Sequence, residues 1–407
     1  MKLFQPKEWK LLWPFYVTQF MFGCIMLTYP FFVIYYQTRG LTLAQMAFMW
    51  SLMSGAKVIC EIPTGVVADV FGRKTSVIIG YLGVSFCWLL VPFTPTYPLL
   101  MLLLIITAVF QTFISGALDA WVYDLLKHEH CEPLYKRAQA NWRIIFLAGA
   151  ILGQLIGAWL VTFTTIDTLF ILEGGFGILF SCIILFAREH FTRKKARMHE
   201  HARDLVTTSK EGLAYVANHT QLKLLFIIGA LFAAVTSVVE ELGSQPLLVG
   251  LGMPVAMLGV FMATFMAVIA LSQFLGLWLE KYLPEKAIYL TTTAIKFIAV
   301  GAIYFLSGQS YLLASALLLV GAAAERAQVP IFITRMNRFI PSKTRAPILS
   351  TSSVVNNAAY IGAILLGGFL IDRYGAQTTV AAFSLFLIPA FVAFCFLRNT
   401  DKPTRIR

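Results

Sequence analysis

Apolar residues form unbroken runs of about 20 residues that recur from one end of the chain to the other, separated by short polar breaks. A helix rising about 1.5 Å per residue needs a run of that length to cross a hydrocarbon core of roughly 30 Å. The strands of a membrane barrel would instead read as segments of about ten residues with alternating polarity. Every crossing is therefore predicted to be helical. Twelve spans follow, at 11–36, 43–70, 76–94, 98–126, 138–162, 167–187, 222–249, 254–281, 287–306, 311–338, 345–371 and 377–397. The breaks carry turn chemistry: Thr38-Arg39-Gly40, Pro92 to Pro98, Gly250 to Pro254, and Ser307-Gly308-Gln309-Ser310. The first run continues from Leu11 to Tyr36, longer than the core of a cleavable signal peptide, and reads as the first membrane helix.

One stretch interrupts this rhythm. Arg188 to Lys223 is polar and basic, with six spans on either side, which predicts bundles at 1–190 and 222–407 joined by a linker at 191–221. Over Asp204 to Gln221 the residues Leu205, Leu213 and Val216, followed by Leu222, recur at helical spacing and predict a helix lying on the membrane surface. The run Arg193-Lys194-Lys195-Ala196-Arg197 reads as a solvated segment that sets topology and meets anionic lipid.

Composition agrees: 58% of the 407 residues are hydrophobic and 13% are charged, against about 25% charged in a soluble domain. The 32 Lys and Arg outnumber the 20 acids and give a formal charge of +12. With alternate loops assigned to opposite sides, those outside the spans gather at the two termini and in loops 2–3, 4–5, 6–7, 8–9 and 10–11. The opposite loops hold only Arg39 and Arg373. That asymmetry predicts both termini in the cytoplasm and explains the positive charge without nucleic acid.

Six cysteines (Cys24, Cys60, Cys87, Cys131, Cys182 and Cys395) lack any C-x-x-C pair, so no disulfide framework or zinc site is implied. The histidines His128, His130, His190, His199, His201 and His219 are dispersed, and His199-x-His201 reads as a solvated pair. No G-x-S-x-G turn or phosphate-binding loop is present, so neither an enzyme nor an ATP-driven pump is expected, and no metal or cofactor.

At the end of the second span the chain reads Gly65-Val-Val-Ala-Asp69-Val-Phe-Gly72-Arg73-Lys74, which resembles motif A of the major facilitator superfamily, G-x-x-x-D-x-x-G-R-K. Gly65 would permit close helix packing, Asp69 precedes Arg73 by one helical turn, and Gly72 would permit the tight turn. Gly276 and Glu280 repeat the glycine-acid spacing, with Leu283, Pro284 and Glu285 where Gly-Arg-Lys would stand. Gly368, Asp372 and Gly375 repeat it again at the end of the eleventh span. Inverted repeats would produce such recurrences. The segments Glu61 to Gly65, Ser115 to Asp124, and Arg338-Phe-Ile-Pro341 with Arg345 to Ser350 are similar to a bacterial branch rich in drug exporters.

The resemblance implies an all-α membrane protein with the fold of that superfamily: twelve transmembrane helices in two pseudo-symmetric six-helix bundles. It further implies that Asp69, Arg73 and Asp124 form a charge relay with the start of helix 11 at the inner gate, alongside Gly65, Gly72 and Lys74. Gly149-x-x-x-Gly153-x-x-x-Gly157 resembles the antiporter motif, with Gln154 for the expected proline and Ala158 for a glycine. It reads equally as a small-residue packing face.

Ionisable residues inside spans are costly unless paired or facing water, and so become functional candidates. Lys57 and Glu61 lie one turn apart on the second span. Gln111, Ser115, Asp119 and Tyr123 form a polar face on the fourth, and Arg143 on the fifth is a candidate partner for Asp119. Glu240 and Glu241 lie in the seventh span, Lys296 in the ninth, and Glu325 and Arg326 in the tenth. The sets Lys57/Glu61 and Glu325/Arg326 read either as structural ion pairs or as proton-coupling groups. Asp119, Glu61 and Glu325 are the proton-coupling candidates. Lys57, Gln111, Arg143, Glu240, Glu241, Lys296, Arg326, Asn356 and Asn357 are the cavity candidates. Glu173 reads either as functional or as a solvated interfacial group, and Gly243-Ser244-Gln245-Pro246 as a break in the seventh helix.

The expected function is a proton-coupled secondary transporter of the bacterial inner membrane, working by alternating access and exporting an organic small molecule. Its expected partners are that substrate, protons and membrane lipids, with a monomeric chain and no nucleic acid. Two alternatives stand beside it. One is transport of an anionic metabolite or carboxylate siderophore, with Lys296 and Arg326 clamping carboxylates; the other is lipid or lysolipid translocation.

Overall fold

The apolar runs fold as helices that continue into their polar flanks. The computed structural model describes residues 4–190, 214–340 and 345–398. The run Arg193 to Arg197, His199, His201, residues 204–213 of the predicted surface helix and residues 341–344 lie outside the described residues. Among the described residues, twelve helices have the length and apolarity to cross a membrane. They are α1 (Pro6–Thr38), α2 (Leu43–Phe71), α3 (Arg73–Phe93), α4 (Tyr97–His128), α5 (Glu132–Leu160), α6 (Ile166–Phe186), α7 (Thr220–Leu242), α8 (Val255–Leu279), α9 (Glu285–Phe305), α10 (Tyr311–Phe339), α11 (Ile348–Tyr374) and α12 (Ala376–Cys395). No strand occurs among the described residues.

Three of the described helices are interrupted, α12 by a 3-10 turn at Ser384–Phe386 between Ala376–Phe383 and Leu387–Cys395. α1 is regular over Pro6–Cys24, opens, and resumes as a short 3-10 turn at Tyr29–Phe31 followed by Phe32–Thr38. Pro30, which has no N–H to donate, sits in that restart. The sequence predicted no break there. In α7 the regular helix Thr220–Thr236 widens into a π-helical turn at Ser237–Leu242, and a short helix, Ser244–Gly250, follows Gly243. The predicted break at Gly243 is thus present, and it begins one turn earlier.

The chain forms two compact units. The first comprises Met1–Leu41, Phe48–Ala202 and Pro254–Met266; the second comprises Thr42–Ala47, Arg203–Met253 and Ala267–Arg407. Within the first, α1 lies along α5, while α3 packs on α4 and α6. Within the second, α7 lies along α11, while α9 packs on α10 and α12.

The α1–α5 seam explains the glycine series of α5. A Cβ at Gly153 would stand 2.6 Å from the carbonyl oxygens of Gly23 and Cys24, and one at Gly23 would stand 2.5 Å from that of Phe146. Gly149 and Gly157 face the α1 backbone in the same way, at Phe20 and Leu27. Of the two readings of this series, packing is the one the geometry supports. Gly65 differs: among the described residues no atom of a neighbouring helix lies within 4 Å of where its Cβ would be.

Candidate functional site

The opening in α1 shapes a cavity of the first unit. It frees the backbone N–H of Thr28, which donates to Glu173 Oε2 of α6 at 3.0 Å, while the Thr28 hydroxyl donates to the same oxygen at 2.6 Å. Glu173 is 8% exposed, so it is not the solvated interfacial group that its position near a helix end suggested. Beside it opens a cavity of about 440 Å³. Its wall is mostly aromatic, with Tyr29, Phe32 and Tyr36 of α1, Trp50 of α2 and Trp88 of α3; Lys57, Gln111 and Glu173 supply polar points. Phe32 and Trp88 stack at 5.1 Å between ring centroids.

A second, more polar cavity of about 260 Å³ adjoins it, sharing Gln19 and Ile114 as lining residues. Ser115 and Asp119 of α4 face Gln139 and Arg143 of α5 across this space. The polar stripe predicted on α4 therefore does line cavities: Gln111 the larger, Ser115 and Asp119 the smaller. Tyr123 leaves the stripe and packs edge-on against Tyr135. Asp119 and Arg143 do not form the expected ion pair; no contact between them falls within 4.0 Å, and both are exposed. Gln19 donates to the Tyr81 hydroxyl at 2.9 Å, fixing the amide where the two cavities meet.

The second unit concentrates charge instead. Lys296 of α9, 1% exposed, donates to Glu240 Oε1 at 2.7 Å and also pairs with Glu325. Arg326 pairs with Glu240 Oε2 at 3.1 Å and approaches Glu325 Oε1 at 3.9 Å. The Thr236 hydroxyl is within 3.1 Å of Glu325 Oε1. Glu240 lies within the π-helical turn of α7, a distortion frequent at functional sites. Glu240, Lys296 and the Glu325/Arg326 set, from three different spans, thus meet. Lys296, enclosed by two carboxylates, is not disposed to clamp a substrate carboxylate. Glu241 accepts a hydrogen bond from Tyr360 at 2.6 Å.

The remaining candidates are more scattered. Glu61 is exposed on α2, and Asn357 is exposed on α11, whereas the half-buried Asn356 turns its carbonyl oxygen towards Gly229 of α7. At the end of the first unit that bears Gly72, the Gly72 backbone has φ +101°, and the chain turns directly into α3. Arg73 pairs with Asp124 and donates to the Ala120 carbonyl. Lys74 donates to the carbonyls of Leu185 and Ala187, at 2.7 and 3.0 Å, and its N–H donates to Glu189. Asp69, half-buried, makes no ion pair among the described residues. In the second unit Gly375 has φ +83° at the start of α12, matching Gly72, and Asp372 accepts from the N–H groups of Leu43 and Ala44, both at 2.8 Å.

One polar cluster escaped the sequence reading. Glu8, fully buried near the start of α1, accepts hydrogen bonds from Tyr16 and Asn141, both at 2.7 Å, and pairs with Arg137 Nε at 3.2 Å. Glu8 lies before the predicted first span, so it was not weighed as a membrane charge. The four-residue spacing of Arg137 and Asn141 on α5 was the available signal.

The family model described as Major Facilitator Superfamily matches residues 15–363. The uncharacterized MFS-type transporter YxaM of Bacillus subtilis (strain 168) is 22% identical over 382 residues, spanning 93% of this chain and 94% of that protein. Among solved structures, the nucleoside transporter NupG (D323A mutant) superposes with a TM-score of 0.80 at 14% identity, covering 95% of this chain and 99% of NupG. A bacterial homolog of the human lysosomal transporter Spinster, inward-facing and unoccupied, gives 0.72 at 16% identity, with 96% and 98% covered. At these identities the superpositions establish the fold.

Proposed function

The chain belongs to the major facilitator superfamily and is a membrane transporter of small molecules, and we propose that its transport is proton-coupled, proceeds by alternating access and exports an organic compound. The twelve apolar helices and the family place it in the bacterial inner membrane as a multi-pass protein. Its termini are proposed to be cytoplasmic on the distribution of Lys and Arg.

The network Glu240–Lys296–Glu325–Arg326 carries the coupling proposal. Two carboxylates share one buried ammonium, so a proton taken up by Glu325 leaves Lys296 still paired with Glu240 rather than stranded. Such a group can exist in two states of similar energy, which an alternating carrier requires. Arg326, with 27% of its side chain exposed, provides the edge through which water reaches the network. Asp119 is proposed as a second proton site because it lines a polar cavity with no ion-pair partner among the described residues.

The adjoining cavities support a substrate with a flat apolar body and a polar end, the former against the aromatic wall and the latter near Asp119 and Arg143. Export rests on the resemblance of the segments around Glu61 and Asp119 to drug exporters.

The test is flux in proteoliposomes under an imposed pH gradient. The compound panel spans aromatic cations, aromatic carboxylates and nucleosides, the last because NupG is a nucleoside transporter. Glu325→Gln is expected to abolish gradient-driven movement while preserving exchange of substrate across the membrane. Full gradient-driven transport in Glu325→Gln would remove the network from the coupling mechanism, and accumulation driven inward by inward proton flow would replace export with uptake.

A further inference from the structure

We propose that the first unit carries a binding site for a divalent transition-metal ion, formed by His128, Glu129 and His190. This site is independent of the transport cavities. The sequence leaves these histidines dispersed, and the fold gathers them: one ligand atom from each residue lies within 4.8 Å of the others. His190 Nε2 is 3.7 Å from Glu129 Oε1, and the two imidazole rings stack 3.6 Å apart and 7° from parallel. Ligand atoms around a tetrahedral zinc ion stand about 3.4 Å apart, given bonds of roughly 2.0–2.1 Å. The donor separations, at most 4.8 Å, must close by up to about 1.4 Å to reach a coordinating arrangement.

The backbone beneath each donor is fixed. α4 ends at His128, and His130 adopts the left-handed conformation with φ +52°, so that Cys131 N–H closes on the Leu126 carbonyl at 2.7 Å. On the other side, the Arg188 carbonyl accepts from Trp121 Nε1 at 2.9 Å, and the Glu189 carboxylate accepts from the N–H of Lys74. The side chains above these anchors retain freedom, with 39% of His190 and 30% of Glu129 exposed. The stacked rings hold their lone pairs side by side, so metal binding requires the exposed rings to rotate about their side-chain torsions.

Two neutral imidazoles and a carboxylate form a donor set for a borderline ion such as Zn2+, Co2+ or Ni2+, with one position open to water. A bound ion would join the end of α4 to the segment following α6. Both are already tied to α3, through Arg73–Asp124 and Glu189–Lys74, so metal would brace that end of the unit, which the Lys and Arg distribution predicts to be cytoplasmic.

The test uses the full chain in detergent, purified without a polyhistidine tag and titrated with Co2+. The expected result is a visible ligand-field band saturating at one ion per chain, reversed by Zn2+, with a rise in Tm. His128→Asn and His190→Asn should each weaken Co2+ binding by at least about tenfold, and the double variant should lose the band at an unchanged metal-free Tm. Glu129→Gln, at a half-buried side chain, serves the same purpose if a histidine variant does not fold. Absence of the band in the parent, or its persistence in the double variant or in Glu129→Gln, would overturn the assignment.

Discussion

The two units pair their helices alike and place their polar residues differently. α1 on α5 corresponds to α7 on α11, and α3 between α4 and α6 corresponds to α9 between α10 and α12. In the first unit, Glu173 is held by a threonine and Glu8 by a closed cluster, while Asp119 and Arg143 stand apart around a cavity. In the second, Glu240, Lys296, Glu325 and Arg326 touch one another. Helix pairing depends on small residues and shape, which a repeat preserves; side-chain chemistry can change at a given position while the backbone stays. In the proposed mechanism the first unit holds the ligand and the second stores the change of charge.

The largest effect is expected where that contrast is sharpest. Replacing Lys296 with Met removes the shared cation and leaves Glu240 and Glu325, 6% and 7% exposed at their side chains, facing each other with only Arg326 between them. Breaking a buried pair in this way costs roughly 3–5 kcal/mol. Lys296→Met should therefore yield little folded protein by size exclusion and a large fall in Tm. Adding Glu325→Gln should restore part of the loss, because it removes one of the opposed charges. A Lys296→Met protein as stable as the parent would mean that the two units handle charge alike.

The sequence made the fold legible because span length is a property of consecutive residues. The twelve apolar runs needed no knowledge of neighbours, and the glycine turn at Gly72 could be read from its motif. The site was legible only in part. Glu240, Lys296, Glu325 and Arg326 were each identified as costly charges, but their meeting depends on how α7, α9 and α10 rotate about their axes, and Glu240 lies in the π-helical turn at Ser237–Leu242, which no periodicity announced. Asp119 and Arg143 were placed on facing helices, yet contact depends on separations that linear spacing does not contain. The opening of α1 after Cys24 was hidden because its residues remain apolar, so the run looked continuous.

A smaller effect separates packing from motif in the first unit. At Gly153 a methyl group would press on two α1 carbonyl oxygens at 2.6 Å, so Gly153→Ala should destabilise by about 1–3 kcal/mol through overpacking. Gly65→Ala, with open space around it, should be neutral or stabilising by up to about 1 kcal/mol, since alanine favours a helix interior over glycine. Thermal unfolding of both variants in one detergent checks the order. If Gly65→Ala lowers Tm more than Gly153→Ala, the α1–α5 seam does not hold the unit together as its geometry indicates.

The smallest effect compares the charged ends of the units. Arg73 pairs with an Asp124 whose side chain is 50% exposed, whereas Glu285 holds both Arg335, 1% exposed, and Arg338. An exposed pair contributes roughly 0–1 kcal/mol, because water solvates either partner after the other is removed. Removing the partner of a buried guanidinium leaves a charge that water cannot reach. Glu285→Gln should therefore lower Tm clearly, while Asp124→Asn should leave it within a degree or two of the parent, an interval expected for an effect below about 1 kcal/mol. Because Asp124→Asn leaves the fold intact, any change in flux it produces reports on the Arg73 tie as a moving part. Equal losses of Tm in the two variants would show that exposure does not distinguish these ends, and the contrast between the units would then be confined to their membrane-embedded chemistry.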